Sequence, residues 1–298
     1  MTSALPLSFS DSPRHQAVDP MRELGAYEAL WMAPRASLRS LTRLLHARPH
    51  ARLSDFVPAA ATAQHAQRVL QLAHSCGLAD FSVCVHDMPS YPPGLRALAS
   101  PPPLLHFQGH WDLLSGRCVA LVGTRHPSAG AVTSAGVIAQ RLVRLGFCVL
   151  SGLAQGIDTA AHRAALSAGG RTAAVLGTPL AACYPAANAG LQRTLAREAL
   201  VLSHVPMLRY MSQGPLENRD FFRARNASLA ALAEALIVVE AGERSGALIA
   251  AHHALQCGRS VLVLDSCFGR GLAWPARLAR RGAMRVRDIG EIEARLAA

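Results

Sequence analysis

Four apolar runs in the middle of the chain each end in a polar loop that carries glycine, and each loop gives way to a helical pattern. Cys118-Val119-Ala120-Leu121-Val122 ends at Gly123-Thr124-Arg125, and Phe147-Cys148-Val149-Leu150 ends at Ser151-Gly152. Ala173-Ala174-Val175-Leu176 ends at Gly177, and Leu236-Ile237-Val238-Val239 leads into Glu240-Ala241-Gly242-Glu243-Arg244-Ser245-Gly246. Runs of this kind predict strands buried on both faces. The helical stretches between them, among them 131–145 and 246–257, predict an α/β fold with a doubly wound, mostly parallel sheet. Leu104-Leu105-His106-Phe107-Gln108 is short and apolar and is expected as an edge strand of that sheet.

Before the sheet the pattern changes. Residues 1–20 are polar, proline-containing and aperiodic, the signature of a loose tail. Residues 21–84 read as a small module of three or four helices, with Leu24, Tyr27, Leu30 and Trp31 on one and Leu38, Leu41, Leu44 and Leu45 on the next. A further helix is expected over 61–74. The prolines of Tyr91-Pro92-Pro93-Gly94 and Pro101-Pro102-Pro103 form a stiff connector. The main domain is expected over 85–270. A basic C-terminal extension follows over 271–298, where Arg277, Arg280, Arg281, Arg285 and Arg287 read as an exposed helix face.

Composition narrows the functional classes. The 298 residues are 51% hydrophobic, ample for a core, and carry a formal charge of +11 with no lysine. The excess of arginine favours a polyanionic partner. No apolar run is long enough to span a bilayer and no signal-peptide pattern opens the chain, so a soluble cytoplasmic protein is expected. The seven cysteines lack a CxxC pair and are expected as free thiols. Of the HxxxH spacings, Pro49 breaks the helix of His46 and His50, and Gly109 interrupts His106 and His110, so no metal site is expected.

The loops carry the candidate chemistry. In open α/β sheets ligands bind at the carboxyl ends of the strands, where glycines admit close approach and helix starts present free N–H groups. The first loop is not a dinucleotide fingerprint, because GxGxxG is absent and no acid follows the second strand; without lysine there is no P-loop either. What remains is an arginine-, serine- and glycine-lined edge suited to phosphate: Gly123, Thr124, Arg125, Ser151, Gly152, Arg171, Arg223, Arg225, Asn226, Arg244 and Ser245. Arg171 opens the third strand, and Arg223 and Arg225 are expected just before a helix that begins near Asn226. Each hydrogen bond from a charged donor to phosphate contributes about 1.5–3 kcal/mol, so a few suffice for useful affinity.

These motifs, taken in order, resemble the DNA-processing protein A (DprA/Smf) family. They are Gly123-Thr124-Arg125-His126-Pro127, Ser151-Gly152-Leu153-Ala154-Gln155-Gly156-Ile157-Asp158, and Gly169-Gly170-Arg171-Thr172-Ala173-Ala174-Val175-Leu176-Gly177. Tyr184-Pro185 with Asn188, then Phe222-Arg223-Ala224-Arg225-Asn226, and finally Val238-Val239-Glu240-Ala241 through Arg244-Ser245-Gly246 complete the set. The resemblance covers about residues 85–265. It implies an extended Rossmann-like domain behind a small helical, SAM-like module. It also implies a homodimer that binds single-stranded DNA and delivers it to the RecA recombinase, with no catalytic residue and no cofactor. The family's DNA pocket maps onto Arg125, Arg171, Arg225 and Asn226, with Ser151 and Gly152 on its floor; Phe222 is a candidate for base stacking or for core packing.

The chain departs from the family pattern at Gln155, Ala224 and Ala227, where basic residues are usual, and it diverges over 265–274. No winged-helix domain is expected after Ile292. Losing three basic contacts would weaken DNA affinity about tenfold or more, at ~1.4 kcal/mol per decade. Two other readings follow. One is a paralogue that binds a small nucleotide, which needs fewer arginines. The other is a nucleoside-monophosphate glycosidic hydrolase, with Glu240 or Glu243 assisting departure of the base. The PGGxGTxxE segment of such enzymes is missing, and helix-start capping or pairing with Arg244 is the commoner fate of these glutamates.

Overall fold

A computed structural model describes residues 18–297. Helices α1 (Pro20–Trp31), α2 (Leu38–Ala47) and α3 (Ala59–Ser75) precede strand β1 (Ser82–Val85), the single turn α4 (Pro93–Arg96) and strand β2 (Leu104–Gly109). The alternating part then runs β3 (Cys118–Val122), α5 (Ala129–Arg144), β4 (Cys148–Ser151), α6 (Ile157–Ser167), β5 (Thr172–Leu176), α7 (Ala189–Glu198), β6 (Leu200–Ser203). It continues α8 (Met207–Ser212), α9 (Arg219–Leu232), β7 (Ala235–Val238), α10 (Gly246–Gln256), β8 (Ser260–Leu264), α11 (Trp274–Ala279), β9 (Met284–Val286), α12 (Ile289–Ala297).

The nine strands of the described residues form one sheet in the order β1-β2-β6-β5-β4-β3-β7-β8-β9. From β6 to β9 every neighbouring pair is parallel, while β2 is antiparallel to both β1 and β6. The chain walks from β3 outward through β4, β5 and β6, then returns to the other side of β3 for β7, β8 and β9. The reversal between β4 and β7 opens a crevice at the carboxyl end of β3, the place where a doubly wound sheet binds its ligand.

Alternate residues of the strands serve two cores, as the period-two pleat requires. Val119, Leu121, Val149 and Ile237 pack with Ile138 of α5 and Ala161 of α6, while Ala120, Leu150, Val175 and Leu236 pack with Leu229 of α9 and Ala250 of α10. This is the α/β, doubly wound, mostly parallel architecture expected from the run pattern, and the Rossmann-like domain that the family resemblance implies. No described helix is long and apolar enough to cross a membrane.

Three expectations need correction. Residues 104–108 are not an edge strand: β1 pairs outside β2 with Val83 opposite His106, because Ser82-Val83-Cys84-Val85 supplies a short strand of its own. That strand falls largely in the stretch read as helical module. The basic extension is also part of the sheet domain. β9 pairs with β8 and places Arg285 opposite Val263, and Trp274, Leu278, Ile292 and Leu296 are buried. Of the expected tail, residues 1–17 lie outside the described residues, and Asp19 caps α1 by accepting the N–H groups of Met21 and Arg22.

The N-terminal helices are docked by polar groups as well as apolar ones. Leu24, Tyr27 and Trp31 share a core with Val205, Met207 and Phe221. Tyr27 donates its hydroxyl hydrogen to the carbonyl of His204. Glu28, fully buried, accepts the N–H groups of Met207 at 2.7 Å and Leu208 at 3.0 Å, satisfying the start of α8.

Candidate nucleic-acid interface

The first loop leaves β3 through a position that only glycine fits: a Cβ on Gly123 would lie 2.9 Å from the Glu240 carbonyl oxygen and closer still to Ile157. Two backbone bonds then hold the loop on both sides, Thr124 N–H to the Glu240 carbonyl at 2.7 Å and Ile157 N–H to the Thr124 carbonyl at 3.3 Å. Ser128 caps α5 by accepting the Ala131 N–H at 3.3 Å. The Glu240 side chain completes the frame. It accepts the Ser128 N–H at 3.2 Å and the Ser128 hydroxyl at 2.6 Å, and pairs with Arg270 at 2.6 Å. Burial pushes the Glu240 carboxyl up, but Arg270 and Ser128 outweigh it and hold the group below the usual range.

A pocket of about 510 Å³ opens between this loop, α9 and the start of α10. Gly123, Thr124, Arg125, Arg223, Arg225, Asn226, Arg244 and Ser245 all line it, together with Phe222 and Asp158. Arg125 and Arg244 are exposed, and Arg223 is exposed beside Asp220 at 3.4 Å. Ser245 caps α10 by accepting the Ala247 N–H at 3.3 Å, so the helix start faces the pocket with its positive end. Asn226 donates its side-chain amide to the Gly246 carbonyl at 3.3 Å and fixes the distance between α9 and α10. Arg223 and Arg225 sit inside a helix and not ahead of one, because α9 already begins at Arg219, with Asp220 in its first turn.

Arg225 differs from the other arginines. It is 7% exposed, and its Nη1 donates to the carbonyls of Gly152 at 2.5 Å and Val175 at 2.9 Å while Nε donates to Asn226 Oδ1 at 3.0 Å. A Cβ on Gly152 would collide with the guanidinium. Arg225 thus ties the ends of β4 and β5 to α9 and forms the floor of the pocket. Its counter-charge is Asp158, buried on the first turn of α6, which accepts the N–H groups of Gly152 and Ala154, each at 3.2 Å. Burial raises the Asp158 carboxyl despite the opposing pull of Arg225, and burial lowers the Arg225 guanidinium despite Asp158. Asp158 stands at the end of the Ser151–Asp158 motif without an assigned role; the signal that could have found it is an acid on the first turn of the helix that follows β4. Ser151 lies beneath the floor, with its hydroxyl on the Leu121 carbonyl at 2.6 Å.

Arg171 does not join the site. It precedes β5 and lies at the amino end of the sheet, where it donates to the Gly146 carbonyl beside Gly116. The departures from the family pattern also fall elsewhere. Gln155 lies in a groove with Thr159 and Arg163, and Ala224 and Ala227 face a separate groove shared with Trp31 and His253. Neither glutamate pairs with Arg244. Glu243 accepts the N–H groups of Ala273 and Trp274 at the start of α11 and binds Arg277 at 2.7 Å, so both acids are already engaged.

Known proteins resemble this chain in sequence and in fold. The family profile described as DNA recombination-mediator protein A matches residues 82–297. Protein Smf of Synechocystis is 41% identical over 184 residues, 60% of this chain and 45% of that protein. The DNA processing protein DprA of Streptococcus pneumoniae is 40% identical over 185 residues, 61% of this chain and 62% of its own length. The matched stretch therefore spans about half to three-fifths of these relatives. The X-ray structure of DNA processing protein A from Streptococcus pneumoniae superposes with a TM-score of 0.73 at 29% identity, covering 94% of this chain and 98% of that one. That of Helicobacter pylori, reported for its single-stranded DNA binding mode, superposes at 0.63 with 25% identity, over 73% of this chain and 96% of that one. With a profile match over most of its length and relatives of this similarity, the chain belongs to the DNA recombination-mediator protein A (DprA/Smf) family.

Proposed function

We propose that the protein binds single-stranded DNA at the carboxyl edge of its sheet and works in the cytoplasm as a homodimer that passes the strand to the RecA recombinase. It does no chemistry on the strand and uses no cofactor. The observation that carries the DNA reading is the convergence of Arg125, Arg223 and Arg244 with the start of α10 around one pocket at the reversal point of the sheet. Exposed guanidiniums and a helix start hold phosphates without reading base edges, which suits sequence-tolerant binding. The likeness to the Helicobacter pylori protein supports the same ligand, and family membership supports the hand-off and the homodimer.

The reading is tested by anisotropy of labelled single- and double-stranded oligonucleotides at two salt concentrations, with Arg125→Ala alongside. Salt-sensitive binding of single strands is expected, with a log–log slope of about −0.7 per phosphate neutralised, made shallower by the substitution. A small nucleotide is the second reading, favoured by the limited pocket volume of about 510 Å³. It gains if single strands fail to bind at low salt while a nucleoside monophosphate raises the melting temperature. Glycosidic hydrolysis has less support, because Glu240 and Glu243 are each held by an arginine.

A further inference from the structure

Beside the pocket an aromatic side chain stands in the open. Tyr184 is 53% exposed, on the loop that follows β5. The Arg125 guanidinium carbon lies 5.5 Å from its ring centroid, and Phe222 meets it edge-on at 5.7 Å with an interplanar angle of 76°. Phe222 is itself seated on Gly177, where a Cβ would come within 2.5 Å of its ring. A glycine at the end of β5 therefore brings Phe222 down, and Phe222 braces Tyr184 next to an exposed arginine of the pocket.

The loop bearing Tyr184 is anchored although its ring is not covered. Asn188 donates its backbone N–H to the Pro185 carbonyl at 3.0 Å. The Asn188 side chain, buried, donates to the Leu153 carbonyl and to the Thr159 hydroxyl, each at 2.9 Å. A large apolar surface held in this way loses little conformational entropy when something settles on it. Exposed, braced and touching a phosphate-seeking guanidinium, the ring has the properties of a stacking platform.

We infer that Tyr184 stacks on an unpaired nucleobase of the strand whose phosphate Arg125 holds. The inference rests on the proposed binding of single-stranded DNA and adds a base-contacting residue to the phosphate-contacting ones. Stacking on an aromatic ring tolerates every base, since each has a π-face, and it is denied to a duplex whose bases are already stacked. Arg125 and Tyr184 then divide the nucleotide between them: one takes the charge and the other takes the base.

The two contributions separate experimentally because salt acts on phosphate contacts. In the full chain, Tyr184→Leu is expected to weaken binding of a labelled oligothymidylate about tenfold or more while leaving the log–log salt slope unchanged. Tyr184→Trp is expected to restore or tighten binding. An abasic oligomer of the same length should bind wild type and Tyr184→Leu equally. If Tyr184→Leu binds as well as wild type, or loses as much affinity for the abasic strand as for the normal one, the stacking role is wrong. In that case a weakened Arg125→Ala variant would leave the DNA reading standing. Failure of wild type to bind any single strand at low salt would overturn both.

Discussion

The carboxylate of Glu240, at the end of β7, accepts both the backbone N–H and the hydroxyl of Ser128, at the start of α5. Two elements distant in sequence are joined across the top of β3, and the segment they enclose contains Thr124 and Arg125. The Thr124 N–H closes the same frame on the Glu240 carbonyl. The position of Arg125 is therefore set by a residue that does not itself line the pocket.

Glu240→Ala removes the acceptor of two Ser128 donors and releases Arg270. The expected cost is about 1–3 kcal/mol for leaving partly buried donors unpaired. The loop should also lose its shape, so the salt slope for single-strand binding should fall toward that of Arg125→Ala, and the double variant should be no weaker than Arg125→Ala alone. Urea denaturation and anisotropy check the two parts. Additive losses in the double variant would show that Glu240 acts on the site in some other way.

Arg225 and Arg125 should respond oppositely to removal. Arg225→Ala leaves the buried Asp158 carboxylate without its counter-charge and strips donors from the carbonyls of Gly152 and Val175. A loss of roughly 3–5 kcal/mol is expected from such a deletion. Arg125→Ala, an exposed change, should stay within about 0.5 kcal/mol of wild type while single-strand binding weakens. Equilibrium unfolding of the two variants side by side decides it. Equal stabilities would mean that Arg225 is not the tie that its hydrogen bonds describe.

Arg171→Ala should leave single-strand binding unchanged, because its guanidinium lies at the amino end of the sheet, against Gly146 and Gly116. A clear fall in affinity with an unaltered fold would place nucleic acid at that end as well.

Glu28 ties stability to pH. Burial raises its carboxyl to about 7, against the pull of the Met207 and Leu208 N–H groups. The folded protein holds this proton more tightly than the unfolded chain, so its contribution is present in acid and is lost as pH rises from about 4.5 through 7. His106 and His204, both buried and pushed down to about 4, act in the other sense: their contribution is present above about 6.5 and disappears as pH falls through 4. Glu28→Gln should remove the first effect. Its stability relative to wild type should improve by roughly 2.5 kcal/mol between pH 5 and pH 8, at about 1.4 kcal/mol per unit. A constant offset across that range, measured by urea titration, would contradict the assignment.

The parallel strands were legible because both their faces are buried, which left unbroken apolar runs such as Cys118-Val119-Ala120-Leu121-Val122. Where one condition failed, legibility failed with it. β9 is three residues with exposed Arg285 at its centre, and β1 begins with exposed Ser82, so neither reads as a strand. Most of the pocket could be found because glycine and arginine stood together after strand ends. Arg171 shares the same composition, but a residue that opens a parallel strand lies at the opposite edge from one that closes it. Tyr184 and Asp158 stand in the motifs, but the sequence assigns them no role, since the use of one depends on Phe222 beneath it and of the other on Arg225 beside it, contacts across many residues of chain.

The two margins of the sheet have a consequence for the protein in concentrated solution. An open sheet offers its outer strands as templates, and a long, flat, apolar margin recruits other chains into fibres. Here the margins are β1, of four residues, and β9, of three, and the second presents an arginine held by Asp265. A sheet of nine strands thus tapers to ends too short, and on one side too charged, to seed growth by strand addition.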